Sequence, residues 1–235
     1  MKTKLIYENG VHVGWIPDNQ RWWFDVNHPD SFELFDLDGL YSKEYFDVDH
    51  VTQSSVNNYY NYVNEYYTKI TGKKLESVFE AGCAGGWFTK KFLDNQIDIM
   101  AIEGSKCGFD ASLQKGVNIA NIILHDLRNE INLNRKFDIV CCTEVAEHIE
   151  TPFSSQLIKT LVTHSDLIWF SFEEPGTNEA HYHHSNEQPE KFWVNLFDFY
   201  GYDYIKIPEN VIESVDHRGS HLFYNKQVYG KLDLI

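Results

Sequence analysis

Apolar residues between positions 52 and 71 recur every three or four residues. They are Val56, Tyr59, Tyr60, Val63, Tyr67 and Ile70. This spacing predicts an amphipathic helix over 52–71, and the glycine that follows at position 72 is a typical helix stop.

From residue 77 onward, short apolar runs alternate with segments of helical spacing. The apolar runs predict strands at 77–80, 97–103, 122–125, 137–142, 167–172, 202–207 and 221–224. Helical spacing predicts helices at 87–93, at 106–115, after Pro152, and from Pro189 to Gly201. This alternation predicts an α/β fold, in which a mostly parallel, Rossmann-like sheet carries helices on both faces.

The first 50 residues have a different pattern. Asn9-Gly10 lies between two apolar runs and predicts a β-hairpin with a type I′ turn. Aromatic residues then recur, and residues 25–50 hold eight acidic residues against one basic residue, Lys43. We therefore divide the chain into an N-terminal hairpin with an aromatic, acidic extension, 1–50, and a main domain, 51–235. The extension is either a lid that recognises substrate or a segment that only packs its aromatic side chains on the main domain.

Composition and charge narrow the function classes. The chain has 235 residues, and 35 acidic residues against 20 lysines and arginines give a formal net charge of −15. This charge disfavours nucleic acid and anionic membranes as partners. The four cysteines form no C-x-x-C pair, and no window of 18 apolar residues predicts a membrane span. Because the amino terminus also lacks the apolar stretch of a signal peptide, we expect a cytoplasmic protein.

A glycine-rich turn follows the strand predicted at 77–80. Such a turn lets backbone N–H groups approach a ligand closely at the start of a helix. Glu80 stands before the first glycine, Gly82. A carboxylate at that position would repel the pyrophosphate of a dinucleotide, so the pattern favours a cationic ligand, S-adenosylmethionine, over NAD.

The next predicted strands also end in polar or acidic residues. Glu103 can accept hydrogen bonds from both hydroxyls of a ribose. Asp126 can accept a hydrogen bond from the amino group of an adenine. The fourth strand ends in Thr143-Glu144, and ligands of open α/β sheets bind at this carboxyl edge.

Together these segments resemble the class I S-adenosylmethionine-dependent methyltransferases over residues 75–226. The matching segments are FEAGCAGGWF at 79–88, IMAIEGS at 99–105, LHDL at 124–127, FDIVCCTEVAEHIE at 137–150 and LIWFSFEEPG at 167–176. The resemblance implies a seven-stranded methyltransferase sheet with an antiparallel last strand. It also implies S-adenosylmethionine as the cofactor, bound by Glu80, Gly82, Cys83, Ala84, Gly86, Trp87, Glu103, Gly104, Ser105, Asp126, Leu127 and Thr143. Ala84 replaces a glycine that is usual in the family, and we expect it to keep a negative φ.

The segment from Glu144 to His148 has the pattern E-x-x-E-H. In a helix beginning near residue 144, Glu144, Glu147 and His148 would share one face and could hold Mg²⁺ or Mn²⁺. The segment resembles both the quinone-biosynthesis O-methyltransferases and the metal-dependent small-RNA 3′-end 2′-O-methyltransferases. The second resemblance implies Glu144, Glu147 and His148 as metal ligands, with His181, His183 or His184 as the fourth and His181 preferred. Alternatively, the two acids stabilise the start of a helix and His148 holds the turn.

Methyl transfer to an alcohol or phenol requires a base with a pKa near neutrality, and a histidine pKa is ordinarily about 6.5. His148 is the first candidate for this base, followed by His181 and His183. We therefore expect O-methylation of a small molecule or sugar that uses S-adenosylmethionine. One alternative is a divalent-metal-dependent RNA ribose 2′-O-methyltransferase. Alternatives of another class are an NAD-dependent oxidoreductase and a non-catalytic cofactor-binding subunit.

Overall fold

The computed structural model describes residues 3–8, 11–17, 36–46, 53–173, 175, 184–205 and 227–231. The strands are β1 (Thr3–Glu8), β2 (Val11–Pro17), β3 (Ser77–Ala81), β4 (Asp98–Glu103), β5 (Ile122–Leu124), β6 (Ile139–Cys142), β7 (Leu167–Phe170), β8 (Tyr202–Ile205) and β9 (Gln227–Lys231). The α-helices are α1 (Leu37–Leu40), α2 (Lys43–Phe46), α3 (Gln53–Thr71), α4 (Trp87–Asp94), α5 (Lys106–Gln114), α6 (Ser154–His164) and α7 (Glu190–Phe199).

Five parallel strands form the centre of the main sheet, in the order β5-β4-β3-β6-β7. Beyond β7 the sheet continues with β9, which is antiparallel to β7, and then with β8, which is antiparallel to β9. The predicted α/β, Rossmann-like fold is therefore confirmed. The order of the strands along the chain reverses between β3 and β6, and ligands of such sheets bind in the crevice at this switch point.

Strands were predicted near both ends of the chain, in the N-terminal hairpin and in the last part of the main sheet. β1 and β2 form the predicted hairpin, with Glu8 opposite Val11, and the turn between them lies outside the described residues. The strand predicted at 221–224 also lies outside the described residues. The strand that pairs with β7 is Gln227–Lys231, a few residues later in the chain.

Helices cover both faces of the sheet, as buried parallel strands require. Along β3, Val78 packs in a cluster with Tyr59 of α3 and Phe92 of α4. The next residue, Phe79, points to the other face and packs in a cluster that includes Leu157 of α6 and Trp193 of α7. The core therefore consists of two layers, and the loops at the carboxyl edge of the sheet remain available for a site.

The helix predicted over 52–71 is confirmed as α3, which has 19 residues. Its buried face consists of Ser55, Val56, Tyr59, Tyr62, Val63, Tyr66 and Tyr67, and its other face is polar. Among the helices of the described residues, none has the length and hydropathy that a bilayer span requires.

Candidate active site

The glycine turn after β3 lies at the switch point between β3 and β6. The backbone N–H groups of Gly82 and Cys83 both donate to the carbonyl oxygen of Ile102, at 3.0 and 2.9 Å. Gly82 has a φ of 80°, and a Cβ on this residue would lie 2.5 Å from Cγ2 of Val145. Only glycine fits there, so the turn packs directly against the Val145 side chain in the loop after β6.

Ala84 departs from the expected geometry, because its φ is 49° and not negative. It lies in the left-handed region, which costs a residue with a Cβ roughly 1 kcal/mol. A contact from α5 stabilises this conformation, since the hydroxyl of Ser112 donates to the Ala84 carbonyl oxygen at 3.1 Å. The expectation of a negative φ is wrong, because Ala84 lies in a tight turn whose residues Gly82 and Gly86 are also left-handed.

Glu80 lies directly beneath the glycine turn and is buried. Its Oε2 accepts a hydrogen bond from the hydroxyl of Thr89, the third residue of α4, at 2.5 Å. Burial and the nearby Glu103 carboxylate raise the pKa of the Glu80 carboxyl to about 8, although the hydrogen bond from Thr89 lowers it. A cation bound beside Glu80 would favour its ionised form.

Glu103 is the last residue of β4 and is also buried. Its Oε1 accepts a hydrogen bond from the backbone N–H of Ser105 at 2.8 Å. Burial raises the pKa of this carboxyl to about 7, although hydrogen bonds from the backbone of Ser105, Ala84 and Gly104 lower it. Glu103 therefore changes its charge near neutral pH, where an ionised carboxylate can accept further hydrogen bonds.

The 36–46 segment, which contains α1 and α2, lies against the end of β4 and the start of α5. The backbone N–H of Lys106 donates to Oδ1 of Asp38 at 2.6 Å. The hydroxyl of Ser105 donates to the carbonyl oxygen of Tyr41 at 2.9 Å. Phe46 packs so closely on α5 that a Cβ on Gly108 would lie 2.8 Å from its ring. The segment is thus attached to the same residues that surround Glu103.

The other predicted cofactor residues line the same edge of the sheet. Asp126 follows β5 and forms an ion pair with Arg128. Leu127 is buried in the core. Trp87 is the first residue of α4, and its ring lies 4.1 Å from Nζ of Lys115. Thr143 follows β6, and its hydroxyl lies 2.9 Å from that of Tyr59.

The helix predicted to begin near residue 144 is absent. Glu144 has a φ of 53°, and the following residues Ala146–His148 form a short 3₁₀ turn. The carboxylate of Glu144 accepts a hydrogen bond from Ser171 at 2.7 Å, and the Glu144 backbone N–H donates to the same hydroxyl at 3.0 Å. The prediction that Glu144, Glu147 and His148 share one helical face is therefore wrong, because contacts with Ser171 turn the chain away from a helix.

Glu147, His148 and His184 nevertheless converge. One ligand atom from each lies within 4.8 Å of those of the other two. The rings of His148 and His184 meet edge to face, with centroids 4.7 Å apart. The side chain of Glu147 is fully buried, and its two carboxylate oxygens have no hydrogen-bond partner among the described residues. Burial and the neighbouring Glu144 raise the pKa of Glu147, which is the state expected of a buried acid before it meets a cation.

The loop that carries His184 is attached to the 3₁₀ turn. The Glu147 carbonyl oxygen accepts hydrogen bonds from the backbone N–H groups of Ser185 and Asn186, at 2.8 and 2.9 Å. The buried side chain of Asn186 donates to the Ser154 hydroxyl at 2.8 Å and accepts from Thr151 at 2.7 Å. His184 is thereby placed beside His148, whereas His181 and His183 lie outside the described residues.

Two residues of this region, Tyr41 and Arg128, were not among the predicted site residues. The ring of Tyr41 meets that of His148 edge to face, with centroids 5.8 Å apart. Burial, with Tyr45 and the acids Glu147 and Glu103 nearby, raises the pKa of the Tyr41 hydroxyl. Arg128 connects the loop after β5 to the loop after β6. The only sequence signal for Tyr41 was its place in an aromatic, acidic run that is too short to show periodicity.

Comparison with known proteins supplies the fold family. No model of a known protein family matches the sequence, and no curated protein matches it. Solved structures do match. The sugar N-methyltransferase KedS8 from a Streptoalloteichus species has a TM-score of 0.63 at 11% identity, over 81% of this chain and 92% of that chain. The plantazolicin methyltransferase BpumL, in complex with a pentazolic analogue and S-adenosylhomocysteine, has a TM-score of 0.61 at 14% identity, over 91% and 94%.

The structure of an S-adenosylmethionine-dependent methyltransferase from Clostridium acetobutylicum also matches, with a TM-score of 0.57 at 13% identity, over 82% of this chain and 94% of that chain. The chain has the fold of the class I S-adenosylmethionine-dependent methyltransferases. This methyltransferase fold places the glycine turn, Glu103 and the Glu147–His148 turn along one edge of the sheet. At these identities the likeness concerns the fold, and the activity has to be argued from the site.

Proposed function

We propose that this chain is a S-adenosylmethionine-dependent methyltransferase that methylates an oxygen atom of a small molecule or sugar. The observation that carries the proposal is the meeting of the glycine turn with the buried carboxylate of Glu103 at the switch point of the sheet. A dinucleotide would bring two negative charges to Glu80, which is buried and acidic. S-adenosylmethionine brings a sulfonium cation, which the ionised form of the buried Glu80 carboxyl would attract and which would in turn lower the raised pKa of that carboxyl.

The residues fit this cofactor. The glycines at 82 and 86 let the turn pack tightly, because a Cβ there would collide with Val145 or Ser112, and this packing holds the turn at the switch point where we place the cofactor. We assign the ribose hydroxyls to Glu103 and the adenine amino group to Asp126. The remaining residues that we assign to this site are Glu80, Cys83, Ala84, Trp87, Gly104, Ser105, Leu127 and Thr143. The complex of BpumL with S-adenosylhomocysteine supports this choice of cofactor.

The cofactor supplies an activated methyl carbon, and the protein has to align the acceptor and remove its proton. We propose His148 as the base that takes the proton from the acceptor hydroxyl. It lies in the loop after β6, at the switch point, and Tyr41 and His184 hold its ring from two sides. His181 and His183 remain predicted alternatives for this base.

We also propose that residues 1–50 form a unit that recognises substrate and that its 36–46 segment is a lid. The segment bonds to Ser105 and Lys106, next to the assigned ribose ligand, and it carries Tyr41 to His148. A segment in this position separates the proposed cofactor site from water. The main domain, 51–235, would then supply the cofactor site itself.

One observation favours a second candidate, a divalent-metal-dependent methyltransferase that acts on the ribose 2′-hydroxyl of RNA. Glu147, His148 and His184 offer one carboxylate and two imidazoles within reach of one ion. Of Mg²⁺ and Mn²⁺, Mn²⁺ accepts imidazole ligands more readily. This set differs from the predicted one in lacking Glu144, which is bonded to Ser171, whereas His184 is one of the three histidines predicted as the fourth ligand. A histidine bound to a metal is not a free base, so the two candidates assign His148 different roles.

The metal can be tested by electron paramagnetic resonance, in which bound Mn²⁺ loses the six-line signal of the free ion. If the second candidate is right, the wild-type protein should bind about one equivalent of Mn²⁺. Replacing His184 by asparagine should weaken this binding by about tenfold or more, because one ligand is lost. His125→Asn is the matched control, since His125 lies after β5 and outside this group. Equal binding by both variants, or none by the wild type, would reject the metal.

The proposed cofactor predicts a pH-dependent affinity that isothermal titration calorimetry can measure. Ionised Glu103 accepts hydrogen bonds from the ribose, and its pKa is about 7, so a proton competes with the ligand below neutrality. The affinity for S-adenosylhomocysteine should therefore rise by about tenfold from pH 6 to pH 8. In Glu103→Gln the affinity at pH 8 should fall by about 10- to 100-fold and should lose most of this pH dependence.

Glu76→Gln is the control for the loss of one negative charge, because Glu76 is exposed and lies before β3, at the opposite end of that strand from the glycine turn. It should leave the affinity and its pH profile unchanged. NAD should give no heat of binding. Binding of NAD without binding of S-adenosylmethionine or S-adenosylhomocysteine would assign the chain to the oxidoreductases. Binding of S-adenosylmethionine without transfer to any acceptor would leave a non-catalytic subunit.

A further inference from the structure

Arg128 is the one lysine or arginine that is buried among the described residues, with a side-chain exposure of 7%. Its guanidinium binds the carboxylate of Asp126 through two nitrogens. Nε lies 3.0 and 2.9 Å from the two oxygens, and Nη2 lies 2.8 Å from Oδ2. The backbone N–H of Arg128 donates to Oδ1 of the same carboxylate at 2.9 Å. The orientation of Asp126 is therefore fixed from two directions.

The remaining arm of the guanidinium reaches a second loop. Nη1 donates to Oε1 of Glu150 at 2.9 Å, and the side chain of Glu150 is only 4% exposed. Glu150 stands two residues after His148 in the loop that follows β6. β5 and β6 are separated in the sheet by β4 and β3, a distance of about 14 Å at the usual spacing of strands. Arg128 joins the loops after these two strands, across the edge where we place the cofactor.

The charges explain why this position needs arginine. Two carboxylates face one cation in a largely buried place, and the planar fork of arginine can bind one of them with two nitrogens while it reaches the other with the third. The ammonium of lysine is a single point and cannot hold a carboxylate plane in one orientation. A fixed carboxylate loses less conformational freedom when a ligand binds it.

We propose that Arg128 is a positioning residue that sets the specificity for adenine, because it fixes Asp126 to receive the 6-amino group of the base. This inference rests on the proposed function and extends it. Arg128 itself does not touch the methyl group or the acceptor. It fixes the orientation of Asp126, the only carboxylate that we assign to the adenine. Through Glu150 it also anchors Asp126 to the loop that carries His148.

The test compares two ligands that differ in this group of the base. S-adenosylhomocysteine has the 6-amino donor, whereas S-inosylhomocysteine has an oxygen acceptor there, which would face the Asp126 carboxylate. By calorimetry the wild-type protein should bind the adenine compound at least tenfold more tightly. Arg128→Lys should reduce this ratio to about threefold or less. Glu150→Gln is the matched control, because its amide oxygen can still accept from Nη1, so it should keep the wild-type ratio even where it lowers the melting temperature.

A second comparison separates positioning from general damage. On an Asp126→Ala background the ratio should already be low, and adding Arg128→Lys should not lower it further, since the two residues act as one unit. If Arg128→Lys alone does not fold, the double variant Arg128→Lys with Glu150→Gln gives the same readout without an unneutralised buried acid. An unchanged ratio in the folded lysine variant overturns the proposal. A wild-type protein that binds neither compound overturns the proposed function, whereas one that binds both equally overturns only the role of Asp126 and Arg128.

Discussion

Replacing His148 by asparagine is expected to lower the rate of methyl transfer by about 10²- to 10⁴-fold, the usual contribution of a general base. Asparagine can occupy the place beside Tyr41 and His184 but cannot take a proton. The affinity for S-adenosylhomocysteine should stay within about twofold, because His148 is not among the assigned cofactor residues. The measurement is transfer of a labelled methyl group from S-adenosylmethionine to a panel of sugars and phenols, with calorimetry in parallel.

Chemical rescue provides the control for this prediction. In His148→Gly, added imidazole should restore part of the rate, since a free base can then occupy the space that the side chain leaves. Imidazole can replace either a base or a metal ligand, so Mn²⁺ binding is measured in parallel, and rescue without bound Mn²⁺ identifies a base. A rate for His148→Asn within about threefold of the wild type would show that the base lies elsewhere, with His181 and His183 as the next residues to replace.

Replacing Gly82 by alanine should both destabilise the fold and remove cofactor binding. The left-handed φ of 80° costs alanine roughly 1 kcal/mol, and the new Cβ would lie 2.5 Å from Val145, an overpacking that costs about 1–3 kcal/mol more. Relief of the collision moves the turn or the loop that begins at Val145. We therefore expect the free energy of unfolding in urea to fall by about 2–4 kcal/mol, and the affinity for S-adenosylhomocysteine to fall by more than tenfold.

Gly72→Ala is a matched control, because Gly72 has a similar φ of 68° but no atom within 4 Å of the position that a Cβ would take. It follows α3 and precedes β3, whereas the glycine turn follows β3. This variant should lose only the roughly 1 kcal/mol of backbone strain and should bind the ligand normally. Equal losses of unfolding free energy and of ligand affinity in the two variants would mean that the contact between Gly82 and Val145 does not determine the conformation of the turn.

The fold was predictable because its signals are local and repeated. β4 contains the apolar run Ile99–Ile102 and β7 consists of the apolar run Leu167–Phe170, as expected of parallel strands buried on both faces. The amphipathic spacing of α3 is equally local. The end of the chain was harder to predict, since the strand that pairs with β7, Gln227–Lys231, has little apolar character of its own, and the strand predicted at 221–224 lies outside the described residues.

The site was predictable where a residue sits at the end of a strand, as Glu103 does. It was not predictable where contacts with residues distant in the sequence determine the backbone conformation. Glu144 turns away from a helix because Ser171, 27 residues later, binds both its backbone and its side chain. In the sequence, nothing distinguishes Arg128 from other loop residues. Its ion pair with Glu150 is what connects it to the proposed site. Such contacts leave no periodicity in the sequence.

The attachment of Asn186 has a consequence for how this protein could acquire new acceptors. One end of the connection between β7 and α7 is secured where Ser171 meets Glu144, and the other where Ser185 and Asn186 meet the carbonyl oxygen of Glu147. With both ends secured by contacts that lie outside residues 174–183, we expect a library varied only at those positions to keep the donor affinity of the parent while its acceptor range changes.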